Sequence, residues 1–306
     1  MSGKEEHRMN IGVLLRTYSP RHEDIEANVK MIEEVVARLF AIPYRPGGKN
    51  PFCTRVDILV WRDDRYRDSA GNRLADCGGT PPALRSAFMN DVRISVHEIP
   101  RADIYATILN YGIARQYSFL MDYSLVLSKE VIGYVNQETI WAMIEVMRRG
   151  ALVASVAVNE IRDLVIRGCV SNTFALWHLP SLLQVGGFDI RDAKPLPGDE
   201  SHVVPYWPQG RELSEEPFWI HDAGVGEVLP ACHLFREFGR PVIASILPQG
   251  EAIQGEYRQE NENPDRVAWN KAKFATKKAR LESILKRSGY SFEDLEQAVM
   301  PAYRHW

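Results

Sequence analysis

The sequence lacks any segment that would cross a membrane. Its apolar runs are strand-sized, far short of the roughly 20 residues that span a bilayer. No hydrophobic stretch of signal-peptide type follows the residues from Met1 to Arg8. We therefore expect a cytoplasmic protein, and peripheral attachment to a membrane stays open as an alternative.

Cysteine is scarce, because only four of the 306 residues are Cys53, Cys77, Cys169 and Cys232. No two of them form a Cys-x-x-Cys pair, which argues against a zinc ribbon and against a thioredoxin-type redox site. The sequence predicts free, mostly buried thiols in a reducing compartment.

Basic excess, internal repeats and the common nucleotide motifs are also absent. Lys and Arg number 37 against 40 Asp and Glu, a net charge of −3, so we expect no nucleic-acid partner. No Gly-x-Gly-x-x-Gly follows a predicted strand, and no Gly-x-x-x-x-Gly-Lys-Ser/Thr occurs, which excludes a dinucleotide fingerprint and a P-loop. The 45% apolar and 25% charged residues are those of a globular chain with a sizeable core.

Apolar runs of strand length alternate with segments of helical periodicity. The sequence predicts strands at 10–17, 55–61, 92–99, 117–121 and 151–158, and helices at 23–40, 103–116 and 130–149. This alternation indicates βαβ units in a mostly parallel sheet flanked by helices. Residues 65–90 are polar and rich in Gly and Pro, and we interpret them as an insertion.

Polar side chains follow three of the predicted strands. They are Thr17, Tyr18 and Ser19 after the first, Asp63 and Asp64 after the second, and Asp122 and Ser124 after the fourth. Ligands bind outside the carboxyl ends of such strands, so these residues are the candidate site. Two structural alternatives stay open: a solvated Arg-Asp-Asp-Arg turn at Asp63 and Asp64, and a helix cap at Asp122 or Ser124.

Four segments in this order resemble a GT-A glycosyltransferase of the family 2 type. They are Arg16-Thr17-Tyr18-Ser19 within Ile11–Pro20, Leu-Asn-Tyr-Gly-Ile-Ala-Arg at Leu109–Arg115, Phe119–Ser124 at the place of the family's Asp-x-Asp, and Leu182–Asp189, which ends in Val-Gly-Gly-Phe-Asp. The resemblance implies a GT-A-like domain over 10–257, with insertions at about 65–90 and 190–223. A basic helical extension over 258–306 follows it.

The resemblance implies transfer of a hexose from a nucleotide sugar, UDP- or GDP-linked, to an unidentified acceptor. The donor nucleotide would contact Thr17, Tyr18, Asp63, Asp64 and Asn110. A Mg²⁺ or Mn²⁺ ion would be anchored by Asp122, with Ser124 and His221 as further ligands, and Arg101 or Arg115 would bind phosphate. The sugar and acceptor would border Gly186, Gly187 and Phe188, and a homo-oligomer is a further expectation.

The chain also departs from the family pattern. Ser124 stands at the second carboxylate of the Asp-x-Asp, and Val228 stands where inverting enzymes of the family have their base. The carboxylates left for the base are Glu227, Asp222 and Asp189. His221 has a structural alternative as a lone histidine in an apolar segment. Two alternative functions therefore remain: a catalytically inactive GT-A-like nucleotide- or sugar-binding or partner protein, and a nucleotidyltransferase.

The C-terminal region is basic, with eight Lys and Arg against Glu282 over residues 266–287. Leu281, Ile284 and Leu285 give this segment an amphipathic pattern. It would contact a membrane surface or an anionic partner, or it would be a solvated helix docked on the core or at a dimer contact.

Overall fold

The computed structural model describes residues 8–19, 21–62, 76–99, 105–128, 131, 134–156, 170, 174–188, 204–206, 218–220, 228–246, 281–282 and 284–300. Its strands are β1 Ile11–Thr17, β2 Arg55–Trp61, β3 Ile94–Ile99, β4 Tyr123–Ser128, β5 Val153–Val156, β6 Phe174–His178, β7 Val204–Tyr206, β8 Phe218–Ile220 and β9 Ile243–Ile246. Its helices are α1 Ile25–Ala41, α2 Thr80–Ala87, α3 Tyr105–Ser118, α4 Gln137–Arg148, α5 Leu179–Gln184, α6 Val228–Phe238 and α7 Phe292–Ala298.

Seven strands form one mixed, mostly parallel sheet in the order β3-β2-β1-β4-β6-β5-β9. Only β6 runs antiparallel to its neighbours, β4 and β5. β1 lies inside the sheet and pairs in parallel with β2 on one side and β4 on the other. Its uninterrupted apolar sequence reflects this position, because helices cover both faces of the sheet. β7 and β8 form a separate two-stranded ribbon within the predicted 190–223 insertion.

Two helical layers cover the sheet. One core contains Ile32 and Leu39 of α1 together with Met143 of α4, and the other contains Leu109 of α3 and Leu182 of α5. β1 contributes to both cores, since side chains alternate along a strand: Ile11, Val13 and Leu15 face α1, and Leu14 faces α3. The sequence-based prediction of a mostly parallel sheet flanked by helices is confirmed.

The C-terminal region packs on the second of these layers. Leu281, Ile284 and Leu285 are buried with residues of α6 in the same core. The Val242 N–H donates to the Ala298 oxygen at 2.9 Å, and Val299 forms a parallel bridge with Ile243 at the start of β9. The apolar pattern of this region therefore serves to dock it on the core.

A buried ion pair joins β2 to its neighbours. The Arg55 guanidinium donates to Asp57 at 2.9 Å, and His97 and Gln116 also contact this carboxylate, at 2.9 and 3.2 Å. Burial alone would raise the pKa of Asp57, but the hydrogen bonds from His97 and Arg55 outweigh it and hold that pKa below its ordinary value. The negative charge of the buried Asp57 is therefore compensated by Arg55 and by the hydrogen bonds around it.

One predicted strand is wrong. Residues 117–121 do not form a strand: α3 continues to Ser118, and the strand is β4, Tyr123–Ser128. Burial explains the difference, since Tyr117 and Phe119 are half exposed whereas Leu125, Val126 and Leu127 are buried. Part of the predicted 65–90 insertion is the helix α2, whose first turn contains Pro81 and Pro82. Proline is tolerated there because the first turn needs no intrahelical N–H bonds.

Within the described part of the chain, Cys53, Cys77 and Cys232 form no disulfide, and Cys169 lies outside the described residues. Among the helices that the structure describes, none is long and apolar enough to cross a bilayer.

Candidate functional site

The order in which strands are added to the sheet reverses between β1 and β4. The chain proceeds outward from β1 to β2 and β3, then returns to add β4 on the other side of β1. Ligands of open α/β sheets bind at such a switch point, outside the carboxyl ends of the two strands. Here both strands end side by side, because Arg16 lies opposite Ser128 in the parallel register. We call the space outside Thr17 and Ser128 the switch-point crevice.

A hydrogen-bond chain fixes the turn that follows β1. The Thr17 hydroxyl donates to Asn28 Oδ1 at 2.8 Å, and Asn28 Nδ2 donates to the Ser19 hydroxyl at 2.9 Å. All three side chains are buried, and Asn28 comes from the first turns of α1. α1 therefore holds the residues on both sides of Tyr18, which is half-buried at the mouth of the turn.

Asp76 attaches a second loop to the same turn. Its buried carboxylate accepts the N–H groups of Ser19 at 3.0 Å, Gly78 at 2.7 Å and Thr80 at 3.4 Å. The Cys77 N–H donates back to the Ser19 oxygen at 2.9 Å. Backbone donors of this kind stabilise an ionised carboxylate without a cation.

The glycines of this loop allow it to lie close to its neighbours. Gly78 has a φ of 96°, a backbone angle that residues other than glycine rarely adopt. A Cβ on Gly79 would come within 2.3 Å of Ile25 on α1. Sequence reasoning placed Ser19 in the candidate site but missed its buried partners Asp76 and Asn28. In the sequence, Thr80-Pro81-Pro82 indicates the start of a helix, and Asp76 lies four residues before it.

Among the described residues, the cations at this end of the sheet include Arg16 and Arg62. Arg16 occupies the β1 position opposite Ser128, and by strand alternation it faces the α3 layer. Arg62 follows β2 and forms an ion pair with Glu98 at 2.8 Å. Arg115 is not among them, because it lies in the last turn of α3, at the amino end of β4. The expectation that Arg101 or Arg115 binds phosphate stays a prediction, since Arg115 lies away from the crevice and Arg101 lies outside the described residues.

Asp122 and Ser124 lie at the other edge of the sheet. Asp122 precedes β4 and accepts the Asn10 N–H at 3.2 Å, and Ser124 is the second residue of β4 and is fully buried. The prediction that these residues follow the carboxyl end of a strand is wrong. Residues 117–121 belong to the end of α3 and the connection after it, and the strand β4 begins only at Tyr123. Lys129 and Glu130 follow Ser128 in the sequence, so they succeed β4 in the way expected of Asp122 and Ser124.

Asn110 and the Gly186–Phe188 turn meet in the structure. Asn110 Nδ2 donates to the Phe188 oxygen at 2.7 Å, and Asn110 Oδ1 accepts the Phe188 N–H at 2.9 Å. Phe188 is buried against Trp177, with ring centroids 5.1 Å apart. Asn110 belongs to α3 and Thr17 packs on α1, so these two predicted nucleotide contacts lie on opposite faces of the sheet.

The remaining predicted residues lie outside the described part of the chain. They are Asp63, Asp64, Asp189, His221, Asp222 and Glu227. Glu227 directly precedes α6, whose first residue, Val228, is fully buried. In the described residues, no group of three or more His, Cys, Asp or Glu side chains is arranged to hold a metal ion.

Comparison with known proteins gives structural likeness without sequence relatives. No family model and no curated protein matches the chain. A mannosyltransferase from Pyrobaculum calidifontis, in complex with GDP-Man and Mn²⁺, is 15% identical, with a TM-score of 0.41 over 92% of this chain and 76% of that chain. Glucosyl-3-phosphoglycerate synthase from M. tuberculosis is 12% identical, with a TM-score of 0.47 over 92% and 82%. A cytidylyltransferase from Leptospira borgpetersenii is 11% identical, with a TM-score of 0.36 over 97% and 100%.

The likeness concerns the fold alone, and both glycosyltransferases and a cytidylyltransferase are among the similar structures. The sheet order, with its single antiparallel strand β6 and helices on both faces, confirms the predicted α/β class with a mostly parallel sheet flanked by helices.

Proposed function

We propose that the protein is a glycosyltransferase that binds a nucleotide-sugar donor in the switch-point crevice. The observation that carries this proposal is the register of β1 and β4, which ends both strands together and puts Arg16 beside Ser128. A diphosphate bound there would contact the guanidinium group of Arg16 on the strand itself. An arginine can donate two parallel hydrogen bonds to the oxygens of one phosphate.

The hydrogen-bonded turn after β1 supports the same proposal. Thr17, Asn28, Ser19 and Asp76 are too buried to contact much of a ligand, so we assign them a positioning role. They hold Tyr18 and its backbone at the crevice before any ligand arrives. Preorganisation of this kind lowers the entropy that binding costs.

In the proposed reaction an acceptor hydroxyl oxygen forms a bond to the anomeric carbon, and the bond from that carbon to the diphosphate oxygen breaks. The acceptor proton passes to a base, for which Asp189, Asp222 and Glu227 are the candidates. The clamp between Asn110 and Phe188 fixes the chain just before Asp189, which favours an acceptor-side role for this segment.

A divalent cation does not fit the described residues of the crevice. Asp76, the buried carboxylate at this edge, already accepts three backbone N–H groups. We therefore derive no step through a metal. Glu130 is the first carboxylate after Ser128 in the sequence, and it is the residue at which a Mg²⁺ or Mn²⁺ dependence of binding can be tested.

A second candidate, a nucleotide-binding protein without turnover, is favoured by Val228. This residue is fully buried at the start of α6, where the resemblance implies a catalytic carboxylate. The two candidates make the same prediction for binding and opposite predictions for turnover.

The test is a thermal-shift panel of nucleoside diphosphates and nucleotide sugars, with and without Mg²⁺ or Mn²⁺. A ligand that binds the native state raises the melting temperature by mass action. We expect one base to give a shift with its diphosphate and its sugar conjugate, and release of the diphosphate from that conjugate on incubation with acceptors. A shift without release would favour the non-catalytic candidate. No shift with any nucleotide would overturn both, and pyrophosphate release from a nucleoside triphosphate and a sugar phosphate would replace them with a nucleotidyltransferase.

A further inference from the structure

Large apolar side chains are exposed at the edge of the sheet opposite the crevice. Six such side chains are exposed among the described residues; four of them lie in two connections, and a fifth, Tyr117, lies in the last turn of α3 beside one of them. These five are Met89 and Val92, before β3, and Tyr117, Phe119 and Leu120, before β4. Val92 is 94% exposed and Leu120 is 80% exposed. We call these five residues the amino-edge surface, because both connections precede parallel strands.

Arg55 links the two connections into one surface. It begins β2, and its guanidinium carbon lies 3.8 Å from the centroid of the Phe119 ring. The next residue, Val56, donates its N–H to the Arg93 oxygen at 2.9 Å, directly after Val92. The exposed side chains of the β3 and β4 connections therefore flank a common arginine.

The same edge is strongly basic although the whole chain is slightly acidic. The described connections that precede parallel strands, 8–10, 42–54, 88–93, 119–122, 149–152 and 239–242, contain six Lys and Arg against two Asp. One of the two, Asp91, forms an ion pair with Arg93 at 2.6 Å. Arg8, Arg45 and Arg148 all lie within 5.3 to 5.9 Å of the Tyr44 ring centroid. Arg149 is also paired, with Glu145 at 2.9 Å. The edge that carries the exposed apolar side chains therefore also carries an excess of basic residues.

The side chain of Leu120 is not accounted for by packing. Leu120 has a φ of 58° and caps the carboxyl end of α3: its N–H donates to the Tyr117 oxygen at 3.0 Å, and the Met121 N–H donates to the Gln116 oxygen at 3.1 Å. This helix cap explains the left-handed backbone, which glycine and asparagine adopt more readily than leucine. Since the leucine side chain is exposed, the packing of the fold does not explain why leucine stands at this cap.

We propose that the amino-edge surface docks on a lipid bilayer with anionic headgroups. Aliphatic side chains at loop tips enter the acyl boundary, and the surrounding arginines and Lys49 attract the headgroup charge. A nucleic acid would use the arginines but would gain nothing from Leu120 or Val92, so the combination favours a membrane. The switch-point crevice then faces away from the bilayer, and this inference does not depend on the proposed function.

The test is flotation of the full-length protein with vesicles of phosphatidylcholine alone or mixed equally with phosphatidylglycerol. We expect binding to the mixed vesicles that high salt abolishes, because surface charge attraction is screened. Leu120→Asn should weaken that binding about fivefold while keeping or raising the melting temperature, since Asn accepts the left-handed backbone. If the role of Leu120 were merely structural, Leu120→Asn would lower the melting temperature and leave vesicle binding unchanged.

A matched pair of charge reversals controls for overall charge. Lys49→Glu lies at the basic edge and should weaken vesicle binding about tenfold, whereas Lys30→Glu changes the net charge equally on the exposed side of α1 and should leave it unchanged. Equal losses from both variants, or vesicle binding that survives Leu120→Asn and Lys49→Glu, would overturn the proposal and assign binding to the C-terminal basic region. A wild-type protein that ignores anionic vesicles but dimerises through Leu120, or binds nucleic acid through Lys49, would overturn it as well.

Discussion

Asp122 and Ser128 lie at opposite ends of β4, one immediately before the strand and one as its last residue. Six residue steps separate them, which in an extended strand is about 20 Å. The distance decides which acidic residue can serve a ligand in the switch-point crevice. An anchor at Asp122 would lie at the amino-terminal edge, beside Asn10 and far from Arg16.

The first prediction concerns the position of the acid. Asp122→Asn should leave the affinity for the best nucleoside diphosphate with Mn²⁺ unchanged, because Asp122 lies at the wrong edge. Glu130→Gln should remove the metal-dependent part of that affinity. Isothermal titration with and without Mn²⁺ measures both, and an affinity loss confined to Asp122→Asn would contradict the proposed site.

The second prediction compares two arginines at opposite ends of the sheet, Arg16, which is half-buried, and Arg115, which is exposed. Arg16→Gln should weaken nucleoside diphosphate binding about tenfold, since an arginine–phosphate pair is a charge-assisted contact. Arg115→Gln should have no effect, because that residue lies beside Phe119 at the amino edge. The readout is the dissociation constant at constant salt. Equal effects of the two substitutions would place the anion elsewhere.

The third prediction concerns the turn after β1. Asn28→Ala removes the acceptor of the Thr17 hydroxyl and the donor to Ser19, both buried. Unfolding in urea should show a loss of about 1–3 kcal/mol. Nucleotide affinity should fall as well, since the residues around Tyr18 lose their fixed geometry. Asn28→Asp, which keeps the acceptor and loses the donor, should retain part of both; full affinity in Asn28→Ala would exclude a positioning role.

The fourth prediction compares two adjacent glycines with positive φ. Gly186→Ala meets no neighbouring atom and should cost about 1 kcal/mol from backbone strain alone. A Cβ at Gly187 would lie 2.8 Å from Asn110 Oδ1, so Gly187→Ala should also disturb the hydrogen bonds to Phe188. Denaturant unfolding should therefore rank Gly187→Ala as the less stable variant by about 1 kcal/mol or more.

The fifth prediction is a pH effect at His178, which contacts Tyr123 and Ser181. Burial lowers the pKa of His178. The unfolded chain, with an ordinary histidine pKa near 6.5, then binds the proton more tightly than the folded one. This histidine therefore stabilises the fold least at acidic pH, and its contribution is lost as pH falls below about 6.5. His178→Gln should show a smaller drop in melting temperature between neutral and mildly acidic pH than the wild type.

The sequence was sufficient to predict the class of the sheet and the end of the first strand, because both depend on local patterns. β1 reads as an unbroken apolar run ended by Thr17-Tyr18-Ser19, and the structure places those residues at the switch point. The helical periodicity of α1 likewise predicted a buried face that contains Ile32 and Leu39.

The position of β4 was misread because two apolar triplets lie six residues apart. Phe119-Leu120-Met121 and Leu125-Val126-Leu127 are both followed by polar residues, and only the second is buried. The resolution depends on how far α3 continues, which tertiary packing decides. Asp76 could not be found from its neighbours in sequence, since its partners Ser19 and Thr80 meet it only after α1 and α2 are in place.

The bridge between Ile243 and Val299 also has a consequence for the order of events during synthesis. β9 is an edge of the sheet, and the partner that covers the start of it is translated more than fifty residues later. At about 5–20 residues per second, a ribosome needs roughly 3–10 s to produce that partner. During this interval the nascent chain presents an unpaired strand edge, which is the surface on which chains add to one another. Chaperone demand during translation should therefore concentrate in these seconds, after β9 has emerged and before α7 has.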